Sequence, residues 1–169
     1  MATTASSIKA SDEVLIATFQ LGGNDGIFGL DTTSIQEVVM VGELTPVRRA
    51  IDYVAGIRNL RGRIITVIDL CIRLDLGLVD IGPDTRILIA DWKGEPIGLL
   101  VDRVSDAVSV NLEDVDPPPP NLHGVQMEKL QGVFRSGERL VALLDLEAVL
   151  GSDDRGSAPT SSEEARGQM

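Results

Sequence analysis

Gly56-Ile57-Arg58-Asn59-Leu60-Arg61-Gly62-Arg63-Ile64-Ile65-Thr66-Val67-Ile68-Asp69-Leu70-Cys71-Ile72-Arg73-Leu74 reads as a strand, a tight turn, a longer strand and a helical turn, and it recurs. The segment 132–150, Gly-Val-Phe-Arg-Ser-Gly-Glu-Arg-Leu-Val-Ala-Leu-Leu-Asp-Leu-Glu-Ala-Val-Leu, aligns with it without a gap. Gly56 falls on Gly132, Arg63 on Arg139, Asp69 on Asp145 and Leu74 on Leu150. Internal self-similarity sets an architecture before any single element does, and a two-copy repeat predicts two related halves. The run Ile64 to Ile68 is almost continuously apolar, the pattern of a strand covered on both faces. One face can be barrel core; the other needs a partner surface.

Outward from this unit, residues 14–21 form a strand, Gly22-Gly23-Asn24-Asp25-Gly26 supplies the positive-φ residues of a hairpin turn, and residues 27–31 return. After a short bend at 32–34, residues 35–41 alternate as a third strand. Residues 50–55 predict about one helical turn, with Asp52 near its start and Gly56 ending it. The strands 57–60 and 63–68 then pair across Arg61-Gly62. Beyond a break at 77–84, strands at 86–92, 97–101 and 104–110 replay the first half, so that Asp31 and Ser34 correspond to Asp102 and Ser105. The run Pro117 to Pro120 favours extended polyproline II and marks the long connection of the second half. A small helix at 126–130, a hairpin at 132–145 and a helical turn at 146–150 close it. The expectation is a mainly β chain of two small five-stranded barrels packed together, with short helices. The first barrel covers about 13–80 and the second about 84–151, between a flexible tail at 1–12 and a disordered tail at 152–169.

With 169 residues the chain has enough apolar content for a real core, yet only five residues are aromatic (Phe 3, Tyr 1, Trp 1), so Val, Ile and Leu must fill it. A formal charge of -11 argues against nucleic acid and anionic membranes as partners. Cys71 is the only cysteine, which leaves no internal disulfide and fits a reducing compartment. The first residues lack an apolar h-region, and no run approaches the roughly 20 apolar residues that span a bilayer. These features predict a soluble cytoplasmic protein without direct membrane insertion.

Candidates for chemistry are few. His123, the only histidine, follows the proline run in a polar loop and reads as a solvated residue; a phospho-acceptor histidine would sit on a helix of a bundle, which nothing predicts. Asp69 and Asp145 end strands and precede Leu-x-x-x-Leu, where an aspartate caps the first backbone N–H groups of a helical turn. Gly22 to Gly26 lacks the Gly-Lys-Ser/Thr and the following helix of a phosphate loop. No metal motif is present. The reading is a non-enzyme without a cofactor. What the shared fold does not explain is Glu37 in a strand and the triplet Asn59, Leu60 and Arg61, which differs between the copies; Gly137 stands where Arg61 does. From the residues alone Glu37 and Arg61 read as solvated surface charges, with a functional surface as the other reading.

Phe-Gln-Leu-Gly at 19–22, Gly-Leu-Asp at 29–31, Ile-Gln-Glu-Val at 35–38, Gly-x-x-Asn-Leu-Arg-Gly at 56–62, Val-Ile-Asp-Leu at 67–70 and Leu-Val-Asp-x-Val-Ser-Asp at 100–106 together resemble the CheW-like chemotaxis coupling domain over roughly residues 13–150. The resemblance implies two SH3-like barrels and a non-catalytic adaptor linking a chemoreceptor's cytoplasmic tip to the regulatory domain of a CheA-type histidine kinase at receptor arrays. It places Glu37 as the acid approaching Arg61, puts Ile35, Val38, Gly98 and Ala107 near a receptor groove between the barrels, and makes Gly56, Asn59 and Arg61 part of a partner-binding surface of the first barrel. Leu60 lies within that same motif. Thr66 stands where a proline is common, and the proline run is longer than usual. Alternatives are a scaffold in a chemosensory pathway other than chemotaxis, a double barrel that binds a small ligand, and a phospho-acceptor role for His123.

Overall fold

The computed structural model describes residues 12–23 and 26–151; the hairpin residues 24 and 25, the tail at 1–11 and the tail at 152–169 lie outside it. Twelve strands follow one another: β1 Glu13–Gln20, β2 Ile27–Asp31, β3 Ile35–Met40, β4 Val54–Leu60, β5 Arg63–Asp69, β6 Arg86–Trp92, β7 Glu95–Val101, β8 Arg103–Asn111, β9 Asn121–Leu122, β10 Val125–Gln126, β11 Leu130–Ser136 and β12 Arg139–Leu144. Helix α1 (Leu70–Arg73) follows β5 and α2 (Leu146–Gly151) follows β12, as the repeat requires.

The strands form two five-stranded sheets. Sheet I has the order β3-β6-β7-β5-β4 and sheet II the order β11-β12-β2-β1-β8, with β9 and β10 as a separate hairpin. The open side of each sheet is spanned by an isolated antiparallel bridge, Thr45 to Ile57 in sheet I and Asp116 to Val133 in sheet II. The mainly β, two-unit architecture is as expected. The division at about residues 80 and 84 is not, because each sheet takes strands from both halves of the repeat. The chain leaves sheet II for sheet I at Asp31 and returns at Asp102, the two aspartates that correspond in the repeat. Asp31 accepts from Thr33 N at 2.9 Å and turns the chain through a 3-10 turn into β3. Asp102 accepts from Gly23 N at 2.9 Å and donates its own N–H to Gln20 O at 3.1 Å, which fastens the return to β1. The exchange allows β5 to pair in parallel with β7, and β12 with β2.

Glycines give these strands room on both sides. A Cβ built on Gly98 of β7 would lie 2.8 Å from Ile87 Cγ2 of the antiparallel neighbour β6 and 3.1 Å from Val67 Cγ2 of the parallel neighbour β5, and one on Gly29 of β2 would lie 2.5 Å from Ile16 Cγ2 of the antiparallel β1 and 3.3 Å from Val141 Cγ1 of the parallel β12. A shared core joins the sheets: Phe19, Phe28, Leu30, Ala142 and Leu144 of sheet II pack with Ile68, Leu88 and Leu100 of sheet I. Phe19 and Phe28 stack at 6.4 Å and are fully buried, so two of the five aromatics sit in that shared core. A second core inside sheet II contains Ile16, Phe134, Val141 and Leu143. Each side chain removed from water contributes about 1.5–3 kcal/mol. Strand β12 is therefore covered on both faces. Strand β5 is covered only toward its end: Ile64 is 61% exposed and Thr66 is exposed, leaving an outer apolar position unmatched within the chain.

Two local expectations are corrected. Residues 50–55 form no helix; the chain turns through Val54 N to Ile51 O at 2.9 Å and is extended from Val54, because Val54 must pair with Ile68. Gly56 consequently sits inside β4 at a bulge, with φ +152, and ends nothing. A Cβ there would lie 2.7 Å from Thr45 O. That carbonyl accepts Ile57 N at 2.8 Å in the bridge spanning sheet I. Gly56→Ala is expected to cost about 2 kcal/mol in urea unfolding, the range of an overpacked site, and an unchanged midpoint would refute the close approach. In the second half the expected helix at 126–130 is a 3-10 turn, Met127–Lys129, preceded by the β9–β10 hairpin.

The capping aspartates are as read. Asp69 Oδ1 accepts from Cys71 N at 2.9 Å and Ile72 N at 3.2 Å, and Asp145 Oδ1 from Ala148 N at 3.2 Å. Asp69 is 3% exposed, and its second oxygen accepts from Val79 N at 3.1 Å, anchoring the loop that crosses to β6. Burial pushes its carboxyl above the usual range against the pull of those three N–H groups. Cys71 is fully buried, and burial pushes its thiol up to about 12. Iodoacetamide at pH 8 is expected to leave the native chain unalkylated and to label it fully in denaturant; rapid native labelling would contradict this burial.

Candidate functional site

The site is built where β3 passes the β4–β5 turn. Gln36, Val38 and Met40 of β3 are exposed, while Ile35, Glu37 and Val39 are half-buried. Across the seam, Arg61 and Gly62 make the turn with φ +53 and +87, the left-handed pair that a two-residue hairpin demands. Asn59 Oδ1 locks it by accepting Gly62 N at 3.0 Å. Arg61 Nη2 reaches over and donates to Glu37 Oε2, forming an ion pair whose side chains are 63% and 37% exposed.

The backbone of Arg61 is informative. In the second copy Gly137 occupies this position with φ +64, so the fold asks for a left-handed residue and glycine meets that without strain. An arginine there costs about 1 kcal/mol. An exposed ion pair returns little of that, so the arginine adds little to stability here.

Family comparison then settles the lineage: residues 16–154 match the model of the CheW-like domain. The chain belongs to the CheW-like family. It is 31% identical over 147 residues to the chemotaxis protein CheW of Treponema pallidum, covering 85% of each chain. It is 31% identical over 160 residues to CheW of Rhizobium meliloti, covering 94% of this chain and all of that one. The crystal structure of the scaffolding protein TtCheW from Thermoanaerobacter tengcongensis superposes with a TM-score of 0.76 at 28% identity, over 86% of this chain and 91% of that one.

Within this CheW-like fold the residues singled out from sequence fall in different places. Glu37, Asn59 and Arg61 come together at the turn, with Val38, 45% exposed, on the outer face of β3. Ile35, at the start of β3, is half-buried against the shared core, as is Leu60. Gly56 and Gly98 are buried: one lets Thr45 approach, the other lets β7 pack, and neither presents a side chain to a partner. Ala107 is exposed on β8, in the other sheet, opposite Ala17 of β1. His123 is not a solvated loop residue; its Nε2–H donates to Leu140 O at 3.1 Å and its ring meets Phe28 edge-on at 5.5 Å, pinning the β9–β10 hairpin to sheet II.

Sequence reading missed Arg58. Its Nε donates to Val41 O at 2.8 Å, and the guanidinium also meets Asn59 O at 3.1 Å and Met40 O at 3.4 Å, bracing β4 against the end of β3. The signal was present in the repeat, since Arg58 aligns with Phe134, a buried core residue. Elsewhere, an open cavity of about 320 Å³ lies beside Gln20, Leu76, Leu78, Asp80, Asp84 and Asp102. That volume is at the small end for organic ligands, and three carboxylates against one arginine, Arg103, make its wall net acidic, which disfavours an anionic one. Among the described residues no helix is long and apolar enough to cross a membrane.

Proposed function

We propose that this CheW-like chain is a non-catalytic cytoplasmic adaptor that joins the cytoplasmic tip of a chemoreceptor to the regulatory domain of a CheA-type histidine kinase, using the face that carries Glu37, Val38, Asn59 and Arg61. Family membership supports the adaptor class, and the name of the Thermoanaerobacter relative describes that protein as a scaffold. The observation that carries the site is the strained left-handed Arg61, locked by Asn59 and paired with Glu37, on the motif that distinguishes the first copy from the second. An adaptor of this kind works by presenting fixed surfaces, so ordering the turn before a partner arrives lowers the entropy lost on association. Gly56 and Gly98 act on binding through backbone spacing, and Ala107 of sheet II belongs to the second of the two partner faces. Immobilised full-length chain is expected to retain a purified receptor cytoplasmic fragment and a kinase regulatory-domain fragment from the same genome. Retention of neither would sink the adaptor reading.

A further inference from the structure

The arginine that dominates the motif is already spent within the chain, because Arg61 is neutralised by Glu37. Arg58 is not. Arg61 pairs with Glu37 and Arg103 with Asp84, whereas Arg58 rests against three backbone carbonyls, at Met40, Val41 and Asn59. Carbonyls orient a guanidinium without cancelling its charge. Its position is built for: Gly42, with φ +62, leaves open the space where a Cβ would lie 2.7 Å from Arg58 Nε. The fold does not require an arginine here, since its counterpart Phe134 is 3% exposed in the core of sheet II.

The surroundings reinforce this. From Ile35 to Arg63, the stretch that holds both strands of the seam, the sequence has five arginines (48, 49, 58, 61 and 63) against three acids (Glu37, Glu43 and Asp52), in a chain whose formal charge is -11. The seam segment is a net-basic island on an acidic protein. Beside it, Met40 is 64% and Val38 45% exposed, an apolar strip on the outer face of β3. A guanidinium has five N–H donors, so two remain beyond the three bonds described.

We infer that the β3–β4 seam is a docking surface for an acidic segment of a protein partner, with Arg58 as the fixed cation that takes a partner carboxylate and Val38 and Met40 as its apolar contacts. Three carbonyls hold the guanidinium in place before binding, so little side-chain entropy remains to be lost. Charge complementarity selects the partner: an anionic protein surface meets this island, while the rest of the chain repels it. This rests on the adaptor reading and adds to it the chemistry of one interface.

The test uses the full chain against the kinase regulatory-domain and receptor fragments, by calorimetry at two salt concentrations, with thermal melts of every variant. Arg58→Met is expected to weaken one of the two fragments about tenfold or more and to flatten its salt dependence. Arg58→Glu should weaken that same fragment further, by placing like charge against its carboxylate. Arg58→Lys keeps the charge without the fixed fork and should fall between wild type and Met, which keeps the inference testable if the Met variant melts early. Restoration of Arg58→Glu binding by an Asp→Lys or Glu→Lys change in the partner would confirm the pairing directly. Wild-type binding with all three variants within twofold for both fragments would overturn this inference alone. Failure of the wild type to bind either fragment would overturn the adaptor reading and this inference with it.

Discussion

Asp69→Ala is expected to destabilise the chain by about 3 kcal/mol, whereas Asp145→Ala at the equivalent position should cost about 1 kcal/mol. Both aspartates cap a helical turn, but Asp145 accepts one N–H and Asp69 accepts three, two at the start of α1 and one from Val79 ten residues on. Removing Asp69 orphans donors in a region where Leu70, Cys71 and Val79 are all buried, so water cannot replace the carboxylate cheaply. Asp69→Asn separates the two jobs. It keeps one carbonyl oxygen for the cap but turns an amide N–H₂ toward the Val79 N–H, and its loss should fall between the other two. Urea unfolding of the three variants reads the order; equal losses for Asp69→Ala and Asp145→Ala would show that the crossing loop is not anchored as described.

Arg61→Glu is expected to weaken partner binding about tenfold or more while changing unfolding free energy by about 1 kcal/mol or less. The substitution puts like charge against Glu37 and breaks the contact that ties the turn to β3, yet Arg61 is largely open to solvent and Glu37 only half-buried. Arg61→Gly sharpens the distinction. Glycine relieves the left-handed strain, as Gly137 does in the other copy, and the exposed ion pair is worth little, so stability should hold or rise while binding falls. A large loss of stability in Arg61→Gly would make the arginine structural and remove the main reason for reading this turn as the site.

Local chemistry made the hairpins legible. Gly62 and Gly137 mark turns, β-branched and leucine runs mark strands, and Asp69 and Asp145 mark helix starts, each through contacts within a few residues. Comparison of the two copies carried further than periodicity, because it isolated Arg61 without reference to any partner. What sequence could not disclose was which strands lie side by side. The exchange of strands between the sheets depends on where the chain crosses, and Asp31 and Asp102 look like ordinary turn residues until their partners are seen. From sequence Gly56 fits a helix stop and a bulge equally, because a positive-φ glycine serves both; only the approach of Thr45 decides between them. Gly98 looked like a groove residue, although its backbone is buried and its role is spacing. Arg58 escaped notice as one charge among several, since its bonds run to carbonyls of a distant strand rather than to an acid.

The proposed adaptor holds two partners at once. Sedimentation velocity of the full chain mixed with the receptor cytoplasmic fragment and the kinase regulatory-domain fragment tests it most directly. A single faster boundary containing all three proteins, reduced by Arg61→Glu in the chain, is the predicted result. Displacement of one fragment by the other, or boundaries that never contain the chain, would contradict it.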